Sequence, residues 1–270
     1  MEQRGNQRRM KQRERKRRIR RMVIFIYRCV WIGAFAVAIL LVWNWYQSFH
    51  KQEEHSIWLE RLAEEEYPES LLNLLENNPE ATNFVLNYPE NKDKNVDIEL
   101  SGEVTRGTIP LFLQWDERWG YEMYGNDFLA VTGCGPTCLS MVQCGLSGDT
   151  KWNPLEVAEM AQEQGYYVDG AGSSWELMTG GAEKLGLTVY SVRFEADYII
   201  SALESGTPII CAMRPGDFTT AGHFIVLSGV DDEGKVIVRD PNSRINSETS
   251  WGVEDLMPQI KNLWGYTYRE

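Results

Sequence analysis

Gly133-Cys134-Gly135-Pro136-Thr137 puts a thiol between two glycines and ahead of a proline, a placement that suits nucleophilic chemistry. A thiol just before a helix N-terminus feels the positive end of the helix dipole and backbone N–H groups that lack intrahelical acceptors. Both favour the thiolate and can hold a developing oxyanion. The flanking glycines are expected to keep the backbone open to a substrate. Such a nucleophile needs a base, and the chain has only three histidines, His50, His55 and His223. The first two lie just past a long apolar segment, which leaves His223. A lone histidine on an apolar strand is more often a packed bystander. Here it follows Thr219-Thr-Ala-Gly222, opens a strand and shares a domain with a helix-capping cysteine, which favours catalysis. The competing roles for Cys134 are structural. Cys134, Cys138, Cys144 and Cys211 form an even set in one domain, as disulfides would need, but three of them sit on or beside one short helix and pair awkwardly. A zinc site would need C-x-x-C pairs, which are absent.

The elements that must position these groups follow from local signals. Pro136–Cys144 is expected as a helix with Pro136 in its first turn and Gly145 as its stop. Pro154–Gln164 is expected as a second, capped by Asn153 with Glu156 three residues on. A third is expected from Ser173, where Ser173-Ser-Trp-Glu176 has capping-box spacing, to Leu185. Leu187–Phe194 alternates as a strand, Ala196–Leu203 reads as helix and Pro208–Met213 as an apolar strand. Phe224–Val230 and Lys235–Asp240 read as a hairpin around Asp231-Asp232-Glu233-Gly234. Helices come first and strands last, so the fold class expected is α+β. Gly229 to Lys235 matches a phosphate-loop spacing, but Val236 stands where Ser or Thr is needed and a strand follows, so it is a turn.

The hairpin also selects a partner for His223. A four-residue loop at 231–234 makes Val230 face Lys235, so Asp240 falls opposite Ile225. Side chains alternate faces with period two, which puts His223, Ile225 and Asp240 on one face and Arg239 on the other. Asp240 is then diagonal to His223, within reach of an imidazole. Asn242, past the interruption at Pro241, is the second candidate, and an odd-length loop would reverse the parity.

Charge divides the chain of 270 residues, 43% of them apolar. The first 21 residues carry 11 Lys/Arg and two Glu, whereas everything from Gln47 onward holds 15 Lys/Arg against 37 Asp/Glu, a net −22. A domain so acidic repels phosphates, which argues against nucleic acid as a partner. Met22–Trp43 is apolar apart from Arg28 and, as a helix, reaches about 33 Å, enough for a hydrocarbon core of roughly 30 Å. Trp43, Trp45 and Tyr46 supply an interfacial belt, and the positive-inside rule keeps the basic arm in the cytoplasm and exports the rest. The alternative, a cleaved signal peptide ending at Ala34-Phe35-Ala36, leaves six apolar residues beyond the cut. The expected organisation is a basic cytoplasmic arm at 1–21, a transmembrane signal anchor at 22–46, an acidic helical stalk at 47–107 and a catalytic domain at 108–270. Within the stalk, a helix is expected after Pro68 and a second one capped by Asn78, and these could pack on the domain that follows.

Gln114-Trp-Asp-Glu-Arg-Trp119, Gly133-Cys134-Gly135-Pro136-Thr137, Gly222-His223-Phe-Ile-Val and Arg239-Asp240-Pro241, in that order, resemble the papain-fold cysteine-peptidase family thirty-nine, named for bacteriocin-processing endopeptidases. The likeness is nearest to its stand-alone, membrane-anchored, Gram-positive branch, and the stretch from Asn78-Pro79-Glu80 to Tyr88-Pro89 resembles the segment preceding the peptidase there. The resemblance implies a papain-like fold and a thiol peptidase without cofactor or metal. It makes Cys134 the nucleophile, His223 the base, Asp240 its orienter and Gln114 a side-chain donor to the oxyanion. Gln114 lies 20 residues before Cys134, further than in the bacteriocin processors, and an external active site would not meet cytoplasmic leader peptides. The function expected is hydrolysis of an external peptide or protein through an acyl-enzyme. A catalytically silent surface binding module on the same fold and a cell-wall amide hydrolase are the alternatives, although the Asp-Cys-Ser pattern of the latter is absent.

Overall fold

The computed structural model describes residues 67–94 and 96–268, together with residue 62 and scattered positions between 31 and 46. The chain divides into two compact units, Met1–Glu64 and Glu65–Glu270. In the first, residues 37–43 are helical and their apolar side chains are exposed. No helix among the described residues is long and apolar enough to cross a membrane. The basic arm and much of the expected span lie outside the described residues.

The second unit mixes helices with one large sheet, as the order of helix and strand signals anticipates. The elements that frame the site are α1 (Glu69–Asn77), α2 (Thr82–Leu86), α3 (Cys134–Ser147), α4 (Pro154–Glu163), β1 (Leu187–Tyr190), α5 (Ala196–Glu204), β2 (Ile209–Met213), β3 (His223–Val230), β4 (Val236–Arg239), α6 (Arg244–Glu248), β5 (Ser250–Trp251) and β6 (Ile260–Tyr268), beside shorter helices and two two-stranded ribbons. The six strands form an antiparallel sheet in the order β1-β6-β2-β3-β4-β5. One face carries Ile210, Val226 and Tyr266 against Leu139 and Met141 of α3. The other carries Cys211, Ile225 and Val238 against Ile199 and Leu203 of α5.

Several expected boundaries move, each for a packing reason. Helix α3 runs past Gly145 to Gly148, whose φ of +79° and N–H bond to Cys144 O end it. Gly145 is instead a packing position, where its carbonyl accepts from Gly107 N and the Ile109 backbone passes too close for a Cβ. The helix expected from Ser173 is a single 3₁₀ turn at Trp175–Met178 and a short helix at Gly180–Lys184, broken at Thr179. Ser173 cannot cap because it is buried in a two-stranded ribbon with its hydroxyl bonded to Tyr124 Oη at 2.8 Å. Asn153 does cap α4, accepting from Leu155 and Glu156 N–H.

The hairpin loop is five residues, since Val230 pairs with Val236 rather than Lys235. A bulge at Ser228, whose hydroxyl donates to Ile237 O, then shifts the ladder by one. Val226 consequently faces Arg239, the pairing that a four-residue loop would have set. Strand β6 carries no expectation from the sequence, yet it lies between β1 and β2.

The segment expected as stalk belongs from Glu65 to the same compact unit as the sheet. Leu71, Phe84 and Val85 share a core with Leu113, Tyr121 and Ala130, and Phe84 stacks on Tyr121 with ring centroids 4.2 Å apart. Phe84 is 3% exposed, so Phe84→Ala should lower the unfolding free energy of the domain by about 3–5 kcal/mol. Equilibrium urea unfolding followed by tryptophan fluorescence measures this, and a change below about 0.5 kcal/mol, normal for a surface position, would show that the helices do not share the core.

Candidate active site

Cys134 is the first residue of α3, with Gly133 at the N-cap. The preceding turn, Leu129–Thr132, runs into Gly133 and leaves room for no side chain. A Cβ on Gly133 would lie 2.3 Å from Leu129 O, and one on Gly135 would lie 2.6 Å from Ser173 Oγ. The glycines therefore seat the helix start against protein, and the sequence expectation that they open it to substrate is corrected. Being at N1, the Cys134 N–H has no acceptor within the helix.

His223 opens β3, opposite Met213 on β2, and is 9% exposed. Its Nε2 lies 2.7 Å from Asp240 Oδ1. A carboxylate only accepts, so Nε2 carries the hydrogen and Nδ1 is the nitrogen left for Cys134. Burial pulls His223 toward its neutral form, but the charge and hydrogen bond of Asp240, followed by the Cys134 side chain, outweigh it and raise the pKa to about 10. Asp240 is 1% exposed and fully engaged: Oδ1 also accepts from Asn242 N at 2.8 Å, Oδ2 accepts from Asn246 Nδ2 at 2.8 Å, and its own N–H donates to Ser247 Oγ. Asn242, the second candidate, points its side-chain oxygen at Asn78 Nδ2 instead.

Gln114 is 4% exposed and shares a cavity of about 400 Å³ with Cys134, His223 and Asn242. Its Nε2 donates to Ala130 O at 2.7 Å, its backbone N–H donates to Pro241 O, and its Oε1 is buried without a partner. A second cavity of about 510 Å³ opens from the same Cys134–His223 pair and is walled by Gly170-Ala-Gly-Ser173, Trp175 and Lys261. A thiol, an imidazole held by a carboxylate and N–H donors at a helix start thus face a cleft on both sides. That arrangement is suited to acyl transfer.

A family model described as the Peptidase_C39 like family matches residues 107–270, more than half of the chain. The chain belongs to this C39-like peptidase family. It is a cysteine-type peptidase of mixed helix and sheet. No curated protein matches the chain.

Of the residues singled out by sequence in the peptidase, Cys134, His223 and Gln114 line one cavity and Asp240 binds His223 behind it. The sequence assigns no role at the site to Asn246 and Ser247, which hold Asp240, and marks Asn78 only as a helix cap and Glu80 only as part of the preceding segment, although both hold the chain around Asp240. The second pair lies more than 160 residues away, and no local pattern links them.

The described cysteines are all free thiols. Burial pushes Cys138 well above the ordinary thiol range, Cys144 up to about 12, and Cys211 higher still, whereas Cys134 opens on the cleft. Iodoacetamide at neutral pH should therefore modify Cys134 alone among these four. Peptide mapping by mass spectrometry should find labelling lost in Cys134→Ala and kept in Cys138→Ser and Cys211→Ser.

The raised His223 value also sets a pH dependence of stability. Its folded pKa exceeds the unfolded value of about 6.5, so the stabilisation is complete below that pH and is lost as pH rises toward about 10. Urea midpoints should fall across this window in the parent and fall less in Asp240→Asn.

Proposed function

We propose that this chain is a membrane-anchored thiol peptidase that cleaves external peptides or proteins through Cys134, His223 and Asp240. The observation that carries the catalytic part is the buried 2.7 Å bond between His223 Nε2 and Asp240, with Cys134 at the start of α3 in the same cleft. Asp240 fixes the tautomer so that Nδ1 faces the sulfur. Cys134 Sγ attacks the amide carbonyl carbon, and His223 delivers its proton to the departing amine as the C–N bond breaks. Water, deprotonated by His223, then attacks the thioester and releases the acid and the thiol. The oxyanion of each tetrahedral intermediate is met by the Cys134 N–H and by Gln114 Nε2. Nε2 donates to Ala130 O at 2.7 Å and, over a longer 3.4 Å, to Val131 O, so the oxyanion replaces Val131 O as the acceptor of the second carboxamide hydrogen.

The membrane part rests on composition: the apolar Met22–Trp43 run, the basic arm before it and the acidic domain after it. The exposed apolar side chains of Leu40, Leu41, Val42 and Trp43 suit a lipid environment. In this orientation the N-terminus is cytoplasmic and the peptidase domain external, at the surface of a Gram-positive-type cell.

Activity is tested by substitution. Cys134→Ala should abolish peptide cleavage, and Asp240→Asn should keep the fold while lowering kcat by a large factor, on the order of a thousand-fold or more. Gln114→Ala should lower kcat by roughly a hundred- to a thousand-fold with little change in KM. Full turnover in the Cys134 variant would end the assignment.

Topology is tested separately. External protease on intact cells should remove the domain and spare the N-terminal arm, and a protected C-terminal domain would reverse the orientation.

A further inference from the structure

The segment carrying Asp240 lies beyond the regular ladder, because β4 ends at Arg239 and only a bridge between Asp240 and Ser243 follows. It is gripped from outside by two residues that precede the family-matched region. Asn78 Nδ2 donates to Asn242 O at 2.8 Å and to Asn242 Oδ1 at 2.9 Å. The Glu80 carboxylate accepts from Ser243 Oγ and from the N–H groups of Arg244 at 2.8 Å and Ile245 at 3.3 Å. The two are tied to each other, since Asn78 Oδ1 accepts from Glu80 N at 3.0 Å, and Asn78 is 7% exposed.

From this grip the bonds run inward to the reaction centre. Asn242 N donates to Asp240 Oδ1, the oxygen that also receives His223 Nε2–H. Ser243 Oγ accepts from Asn246 N, and Asn246 Nδ2 donates to the other Asp240 oxygen. We propose that Asn78 and Glu80 are positioning residues of the peptidase, which clamp residues 242–245 so that both donors to Asp240 are set and its carboxylate faces His223. This rests on Cys134, His223 and Asp240 forming the reaction centre. Glu80 suits the task because one carboxylate satisfies a hydroxyl and two backbone N–H groups at the start of α6, and charge-assisted bonds of this kind are the stiffer ones. The segment before the family-matched region would then be part of the catalytic apparatus, not a spacer.

The test uses the full chain in detergent, with Glu80→Ala, Glu80→Gln and Asn78→Ala made alone and combined with Asp240→Asn. Cys134 alkylation by iodoacetamide is followed against pH by peptide mass spectrometry, beside peptide turnover and thermal melting. Asp240 and Cys134 act directly on His223, Lys261 and Asp217 line the two cavities it opens on, and all four remain in the Glu80 and Asn78 single variants. Glu80→Ala should move the alkaline inflection, where His223 loses its proton, to lower pH, because a misdirected carboxylate supports the imidazolium less. It should lower kcat on the order of ten- to a hundred-fold with KM within about twofold. Glu80→Gln, which keeps an acceptor oxygen, should recover most of both. In the Asp240→Asn background, Glu80→Ala should change kcat by less than about twofold, since its effect passes through Asp240.

A parental inflection in folded Glu80→Ala overturns the proposal, as does an equal loss in both backgrounds. Should Glu80→Ala not fold, Asn78→Ala decides by the same inflection. A parent chain that cleaves no peptide, yet whose Cys134 alkylation depends on His223 and Glu80 as described, would refute the peptidase reaction and leave the clamp standing.

Discussion

A carboxylate 1% exposed to solvent at Asp240 is tolerable only if its oxygens are filled, and the structure around the candidate site is organised by that requirement. Removing a charge from water costs several kcal/mol, and a single lost partner in such a site costs a comparable amount. Asp240 accepts from an imidazole, a backbone N–H and a carboxamide, while its own N–H donates to Ser247. The donors come from β3 and from the turn after Asp240 that runs into α6, so both stretches must be in place together. The same bonds that make the carboxylate tolerable in the interior fix the imidazole tautomer and aim Nδ1 at the sulfur.

On the other side of the cleft the controlling factor is close approach. The start of α3 can sit where it does only because Gly133 and Gly135 let Leu129 and Ser173 pack against the backbone on either side of Cys134. The sheet that presents His223 and the helix that presents Cys134 share one core through Leu139, Phe224 and Val226, so their relative position is set by interior packing and not by loops. Rigid delivery of both groups is what an acyl-transfer reaction requires, since small misplacements cost large factors in rate.

The helices before the family-matched region contribute to that rigidity from the outside. Their apolar faces build a core of their own with Leu113, Trp115 and Tyr121, immediately around Gln114, while Asn78 and Trp115 Nε1 both bond Asn242 O. Trp115 follows Gln114 in the chain, so the segment that carries Gln114, the segment that carries Asp240 and the helices before residue 107 are joined at the Asn242 carbonyl.

Residue types and short-range signals pointed to a thiol nucleophile with a histidine base, and the resemblance of four motifs to a known family supplied the peptidase reading. The single histidine of the domain, the cysteine ahead of a proline at a helix start, the Asn153 cap and the order of helices before strands are local facts, and local physics determines them. The pairing of His223 with Asp240 was also legible, but by a route that the structure amends. The hairpin loop has five residues where four were expected, and a bulge at Ser228 restores the register that the extra residue would have reversed. Bulges depend on how the sheet must bend over its core, which no window of sequence contains. Strand β6 escaped for a similar reason: its alternation is broken by a register shift between Ile260 and Asn262, and its partners β1 and β2 lie far away in the chain. The expected domain start at 108 followed a change in composition, whereas packing places Leu71 and Phe84 inside the same unit, because burial answers to the nearest apolar surface in space. The bonds from Asn78 and Glu80 to residues 242–245 span more than 160 residues, and only the folded chain could bring them together.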